Sequence, residues 1–366
     1  LRQLQRNALH QGEKLELAND SSVYSSNFNK QFIQRTSMKT PSLRTILFIS
    51  ATFILSACKK NDDSEITPTP NPSSALSFSE ISVTGTYFEP LFDHQVVTFQ
   101  DKLWLIAGRN ALVSHNEIWS SEDGTLWTEV TPAGSIFTPR FGHSALVFDD
   151  KLWIIGGNFG GSALNDVWSS VDGINWVEEV ANAAFSPRYY HDAIVFNDKM
   201  WVIGGDIGTT QNDIWSSSDG MNWTQEIVVG ELFTPRAGHQ VVVTSDRLFV
   251  IGGYGSGGFT NDVWSSLDGI NWVEEIATTS VFAPCYSHQA IVKDDKIYVI
   301  GGIVGWVNSD EVWSSTNGTD WTKETIEDVS FSARGGHQVA LLNSELFVIG
   351  GFDNSSAALN DIWIQN

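Results

Sequence analysis

The 366 residues carry 21 basic and 43 acidic side chains, a formal charge of −22, and only two cysteines. Residues 1–57 hold seven Lys/Arg and three Asp/Glu, so the remainder has 14 basic against 40 acidic groups, or −26. A surface this acidic repels nucleic acid phosphates and anionic lipid headgroups, which argues against nucleic acid as a partner, and two cysteines cannot build a disulfide framework.

In chain order, residues 1–37 contain no Met and show no apolar periodicity, and they are expected to lie outside the mature protein, with Met38 as its start. Met38-Lys39 and Arg44 supply positive charge, and Thr45 to Ile54 supply an apolar run. That run is shorter than the ~20 residues needed to cross ~30 Å of hydrocarbon, so 38–57 reads as a signal peptide. Its end, Leu55-Ser56-Ala57-Cys58, resembles the lipobox of bacterial lipoproteins, which implies lipidation of Cys58. Lys59-Lys60-Asn61-Asp62-Asp63 resembles the surface-export signal of lipoproteins from Bacteroidetes-type bacteria, the other reading being a solvated tether. Pro, Thr, Ser and Asn dominate residues 67–77, so 58–77 is expected to be a lipidated linker. The implied location is the bacterial cell envelope, lipid-anchored to the outer membrane, facing the periplasm or the cell surface. The lipid would be the only membrane contact.

From Phe78 onward one text repeats. His94, His143, His191, His239, His288 and His337 recur at intervals of 48 or 49 residues, which makes six copies. In the second copy, His143 to Phe148 and Leu152 to Ile155 read as a hairpin around Asp149-Asp150-Lys151, ended by Gly156-Gly157. Asp166 to Ser169 and Trp176 to Val180 read as a third and fourth strand, joined by an Asp172-Gly173 turn. Four antiparallel strands per copy make a propeller blade. The diglycine, the Asn-Asp-Val-Trp third strand and the Trp opening the fourth resemble the kelch family, within the propeller class that includes galactose oxidase.

The last copy stops after its third strand, at Trp363. Phe78 precedes His94 by 16 residues, as Trp127 precedes His143. The N-terminal segment is therefore expected to supply the missing fourth strand and close an all-β, six-bladed β-propeller over 78–366, which removes the open sheet edges. Ser-x-Asp-Gly-x-x-Trp, as in Ser170 to Trp176, resembles a shortened Asp-box of sialidases and is expected to be hairpin architecture. A single chain of this design is expected to be monomeric.

Groups present in every copy serve the scaffold, so function is sought where the copies differ. The histidine row is expected to be half-buried and bonded between strands or blades, with no metal, because its members sit on separate blades. Arg140, Arg188, Arg236 and Arg334 form a partial row broken by Leu91 and Cys285, and Cys285 is either a replaced arginine or a reactive thiol. The resemblance places ligand contacts on the loops after the diglycine and those leading into the first strands. There Arg109, Phe159, Tyr190, Asp206, Tyr254, Tyr286, Trp306 and Asp353 are the candidate ligand-binding residues. Aromatic plates among a few Asp and Arg suit a protein or glycan ligand. No catalytic residue, cofactor or metal is expected. The competing reading is a carbohydrate-active enzyme similar to the sialic acid mutarotases, with Arg109 on a carboxylate and Asp206 or His115 moving protons. A galactose-oxidase copper site is weighed against the adjacency of Cys285 and Tyr286, which is not the cross-link that such a site requires.

Overall fold

The computed structural model describes residues 75–327 and 330–366. The expectations for the signal peptide, Cys58 and most of the linker lie outside the described residues. Each repeat forms one antiparallel sheet, except that in blade 5 the mouth hairpin Ile303–Val304/Val307–Asn308 joins Cys285–Tyr286 in a small sheet of its own. Blade 1 comprises Gln95–Phe99, Lys102–Arg109, Ser114–Ser121 and Thr128–Val130, and blade 2 comprises Ser144–Phe148, Lys151–Phe159, Ser162–Ser170 and Trp176–Val180. Blades 3 to 5 repeat this order from Asp192, Gln240 and Gln289. The first strand of each blade adjoins the first strand of the next, and that of blade 6, Gln338–Leu342, adjoins that of blade 1. The cycle is closed.

Closure works as the repeat count requires. Leu76–Glu80 pairs antiparallel with the last strand, Ala358–Gln365, with Phe78 opposite Gln365 and Glu80 opposite Trp363. It begins two residues before the expected boundary, and its outer edge takes Ile326–Glu327 in parallel, with Leu76 opposite Ile326. The N-terminal strand runs in the same direction as the fourth strands it replaces. The described chain therefore enters and leaves on the face that carries the Asp-Gly turns, opposite the loops that follow the diglycines.

The core consists of the spaces between neighbouring blades. One cluster joins Phe347, Ile349 and Ile362 of blade 6 to Leu103, Leu105 and Trp119 of blade 1, and five more follow around the ring. Because each sheet is covered on both faces, second strands such as Leu152-Trp153-Ile154-Ile155 are buried throughout rather than alternately. The Asp-Gly turns lock neighbours together on the opposite face. A Cβ on Gly173 would lie 2.1 Å from the Trp104 ring of the preceding blade, and one on Gly220 would lie 2.1 Å from Trp153. In these turns Asp172 accepts backbone N–H bonds from Ile174 and Asn175, and the Trp176 indole donates to the Gly173 carbonyl. Blade 5 exchanges the pair: Asn317 stands in place of the aspartate and Asp320 in place of the asparagine, and the amide–carboxylate bond is kept.

Candidate binding face at the channel mouth

Two rows of scaffold residues build the mouth. The six histidines are buried completely or nearly so; the rings of His191, His239, His288 and His337 face backbone carbonyls of the preceding blade, at Ile155, Ile203, Ile251 and Ile300, and His288 Nδ1 also lies 3.5 Å from the Cys285 sulfur. The rings are thus more deeply buried than the half-buried row expected. The reason is the diglycine. A Cβ on its second glycine would stand 2.5–2.8 Å from the Cβ of the same blade's histidine, and one on its first would meet the next blade's ring, as Gly156 meets His191 at 3.1 Å. The ring fills the space that two missing side chains leave. Burial lowers the pKa of His94 and His191 to about 3, so the row stays neutral.

The arginine row is equally internal. Arg140 donates to both carboxylate oxygens of Asp166 at 2.9 and 2.7 Å and to the Gly156 carbonyl at 2.8 Å, and Asp166 also accepts from the Trp168 indole. Arg188, Arg236 and Arg334 repeat this with Asp213, Asp262 and Asp361, and all four guanidinium side chains are fully buried. Where the arginine is lost, the aspartate is lost too: Leu91 goes with Glu117, and Cys285 with Glu311. Cys285 is buried, and burial raises its pKa to about 12, which rules out the exposed, reactive thiol.

The residue before each histidine closes the channel. Asp93, Gly142, Tyr190, Gly238, Ser287 and Gly336 all adopt φ between 50° and 60°. Each donates its backbone N–H to the carbonyl of its counterpart in the preceding blade at 2.7–3.2 Å, from Gly142 to Asp93 around to Asp93 to Gly336. Six peptides thus form a head-to-tail ring around the axis. Below it the channel holds a cavity of about 70 Å³, room for a few waters and well short of the ~300–1,000 Å³ of small-molecule pockets. At this mouth, a ligand of any size must therefore sit on the rim rather than in the channel.

Glycine suits the left-handed backbone of this ring, and blades 1, 3 and 5 depart from it with Asp93, Tyr190 and Ser287. Two of these side chains meet. The Tyr190 hydroxyl donates to Asp93 Oδ2 at 2.6 Å and accepts from Arg109 Nη2 at 2.8 Å, and Arg109 Nε donates to the same Asp93 oxygen at 2.9 Å. Burial and the Asp93 charge push the Tyr190 phenol well above its usual range, so it remains a neutral donor. The Arg109 guanidinium also lies 3.9 Å from the Phe141 ring centroid and 4.8 Å from that of Phe92.

Around this ring, the residue two before each histidine pairs across the blade with the residue after the diglycine. The pairs are Phe92 with Arg109, Phe141 with Asn158, Tyr189 with Asp206, Ala237 with Tyr254, Tyr286 with Ile303 and Gly335 with Phe352. Of the eight predicted residues, Arg109 and Tyr190 therefore meet on one side. On the other, Asp206 accepts from the Tyr254 hydroxyl at 3.3 Å, and Tyr254, Tyr286, Phe259 and Trp306 form a continuous line of rings with successive centroids 4.7–5.1 Å apart. Phe159 stands apart on its hairpin, exposed. Asp353 shapes its own turn: bonds from the Ser355 hydroxyl and the Ala357 N–H hold its pKa below the usual value. His115 is engaged by Asn110 and Glu117, and is not joined to Arg109 or Asp206 by any described contact.

Phe259, half-buried, was missed from sequence, as were Leu112, Val113, Ile207 and Val307, which are exposed at hairpin tips. Four of the six hairpins at the mouth thus present an exposed large apolar side chain, from Ile207, 40 % exposed, to Leu112, 89 % exposed, and blade 4 adds the half-buried Phe259. The available signal was an isolated Leu, Ile or Val inside a Gly/Ser/Thr/Asn loop. A family model for the KLHDC2/KLHL20/DRC7 Kelch-repeats domain matches the chain twice, over residues 71–218 and 216–366. The chain belongs to the kelch-repeat family. Kelch-repeat propellers are in general protein-binding modules. No curated protein matches this kelch chain.

Proposed function

We propose that this protein is a lipid-anchored binding module of the bacterial cell envelope, whose kelch propeller holds a protein partner on the crown of hairpins around the channel mouth. The observation that carries the reading is the set of exposed apolar tips: Leu112, Phe159, Ile207 and the adjacent pair Trp306 and Val307 come from four different repeats yet share one rim. Separate exposed apolar residues are ordinary, whereas a rim of them mounted on a rigid scaffold marks an interaction surface. The Trp306 backbone supports this. Gly305 and Trp306 form a two-residue turn between Val304 and Val307, and Trp306 sits at φ 72°, a left-handed conformation that disfavours bulky residues. Its ring touches Phe259 edge-on and is otherwise largely exposed.

The anchor fits the same geometry. The first described strand, Leu76–Glu80, starts on the face opposite the crown, which supports a tether attached on that side. The test is capture of partners from envelope extracts with the wild-type chain and with Leu112→Ser/Phe159→Ser/Trp306→Ser. Prey lost with the triple variant, and retained by a variant altered on the Asp-Gly turns, supports the reading. Equal retention by all three would overturn it. Cys58→Ala should move the protein out of the membrane fraction, and unchanged fractionation would remove the lipid from the account.

A further inference from the structure

Cations are sorted by face. The turns between first and second strands, on the face opposite the crown, carry Lys102, Lys151, Lys199 and Arg247, and each pairs with a glutamate of its own blade. Across the hairpins and lead-in residues of the mouth, Arg109 is the one cation among the described residues outside the buried Arg–Asp pairs, set against Asp93, Asp206 and Asp353.

The two halves of the mouth use the same chemistry to different degrees. In the half formed by blades 1 and 2, a guanidinium lies over the Phe141 and Phe92 rings with the Asp93 carboxylate 2.9 Å away. In the half formed by blades 3 to 5, the rings and the carboxylate are present, and the cation is not. Asp206 touches Tyr254, and the line of rings runs from there through Tyr286 and Phe259 to exposed Trp306. A cation on an aromatic face beside a carboxylate gains from both, and an acidic mouth on a chain of charge −22 steers a basic partner toward it.

We propose that the mouth receives a basic segment of the protein partner, with an arginine or lysine side chain laid along the Tyr254–Tyr286–Phe259–Trp306 ridge and its charge directed at Asp206. This rests on the reading of the crown as the binding surface. The probe is a phage-displayed random dodecapeptide library panned on the full chain, with the selected peptides measured by fluorescence anisotropy. The expected peptides are basic. Their affinity should fall at least tenfold in Asp206→Asn and in Trp306→Ala, and fall with added salt, while Asp150→Asn/Asp198→Asn on the opposite face leaves it unchanged. Neutral or acidic peptides that still depend on Trp306 would overturn the basic-segment proposal and leave the crown standing. Basic peptides that bind all variants alike would reduce the effect to general charge attraction and overturn it. Failure to select any peptide that depends on the crown would overturn both readings.

Discussion

At the scale of single residues, the strongest constraint is the ion pair repeated in blades 2, 3, 4 and 6. Arg236 is fully buried and its partner Asp262 largely so, and the two share a bidentate contact. Removing one partner of such a pair strands a buried charge, which costs ~3–5 kcal/mol. Arg236→Leu and Asp262→Ala should each destabilise by about that much, and the double variant by much less than the sum; additive losses in urea melts would contradict the pairing. The histidines set the pH dependence. Burial keeps them neutral when folded, lowering the pKa to about 3 for His94 and His191 and to about 4 for His288, whereas unfolded histidine titrates near 6.5. Below that pH the unfolded chain binds more protons, so stability is intact at pH 7.5 and is lost as pH falls through 6, by up to ~1.4 kcal/mol per pH unit for each histidine. A melting temperature that is flat from pH 7.5 to 5 would contradict this burial. The sequence made part of this legible. The joint loss of Arg with Asp at Leu91/Glu117 and Cys285/Glu311 can be seen by laying the repeats side by side. The contact of Tyr190 with Asp93 cannot, because the two belong to blades 3 and 1 and lie 97 residues apart, and occupying the same repeat position does not reveal that two side chains meet across the channel axis.

At the scale of elements, one residue type serves two ends. Trp176 is buried, with its indole bonded to Gly173, and it holds a blade hairpin. Trp306 sits on a strained hairpin tip and touches Phe259 edge-on. Trp176→Ala should cost ~3–5 kcal/mol, as large-to-small core changes do. Trp306→Gly should change stability by less than ~1 kcal/mol, since relief of the left-handed strain offsets the lost ring contact, while abolishing partner capture. A large loss of stability in Trp306→Gly would assign that tryptophan to the fold. Strands, turns and their order were legible because each recurs six times, and their packing is dictated by period and by Gly. The crown was only half legible, since apolar tip residues such as Leu112 and Ile207 look, one repeat at a time, like accidents of a loop.

At the scale of the whole molecule, the ring has one seam, where Leu76–Glu80 meets Ala358–Gln365. Phe78 is buried there against Phe331, and the strand covers the edge that the last repeat leaves open. Deleting residues 76–80 should remove a single cooperative unfolding transition and expose an associating edge; a truncated chain that melts as a monomer with the wild-type profile would mean that the ring does not depend on this seam. The closed ring is also what turns scattered tips into one surface, because six hairpins separated by 48 or 49 residues in sequence are brought to one rim. The most direct measurement is site-specific photo-crosslinking in the intact cell, with benzoylphenylalanine placed at Leu112, Phe159 or Ile207 on the crown and at Ile174 or Met221 on the Asp-Gly turns. The account predicts covalent adducts to a second protein from the crown positions and none from the turns. Adducts from Ile174 and Met221, with the crown positions silent, would contradict it.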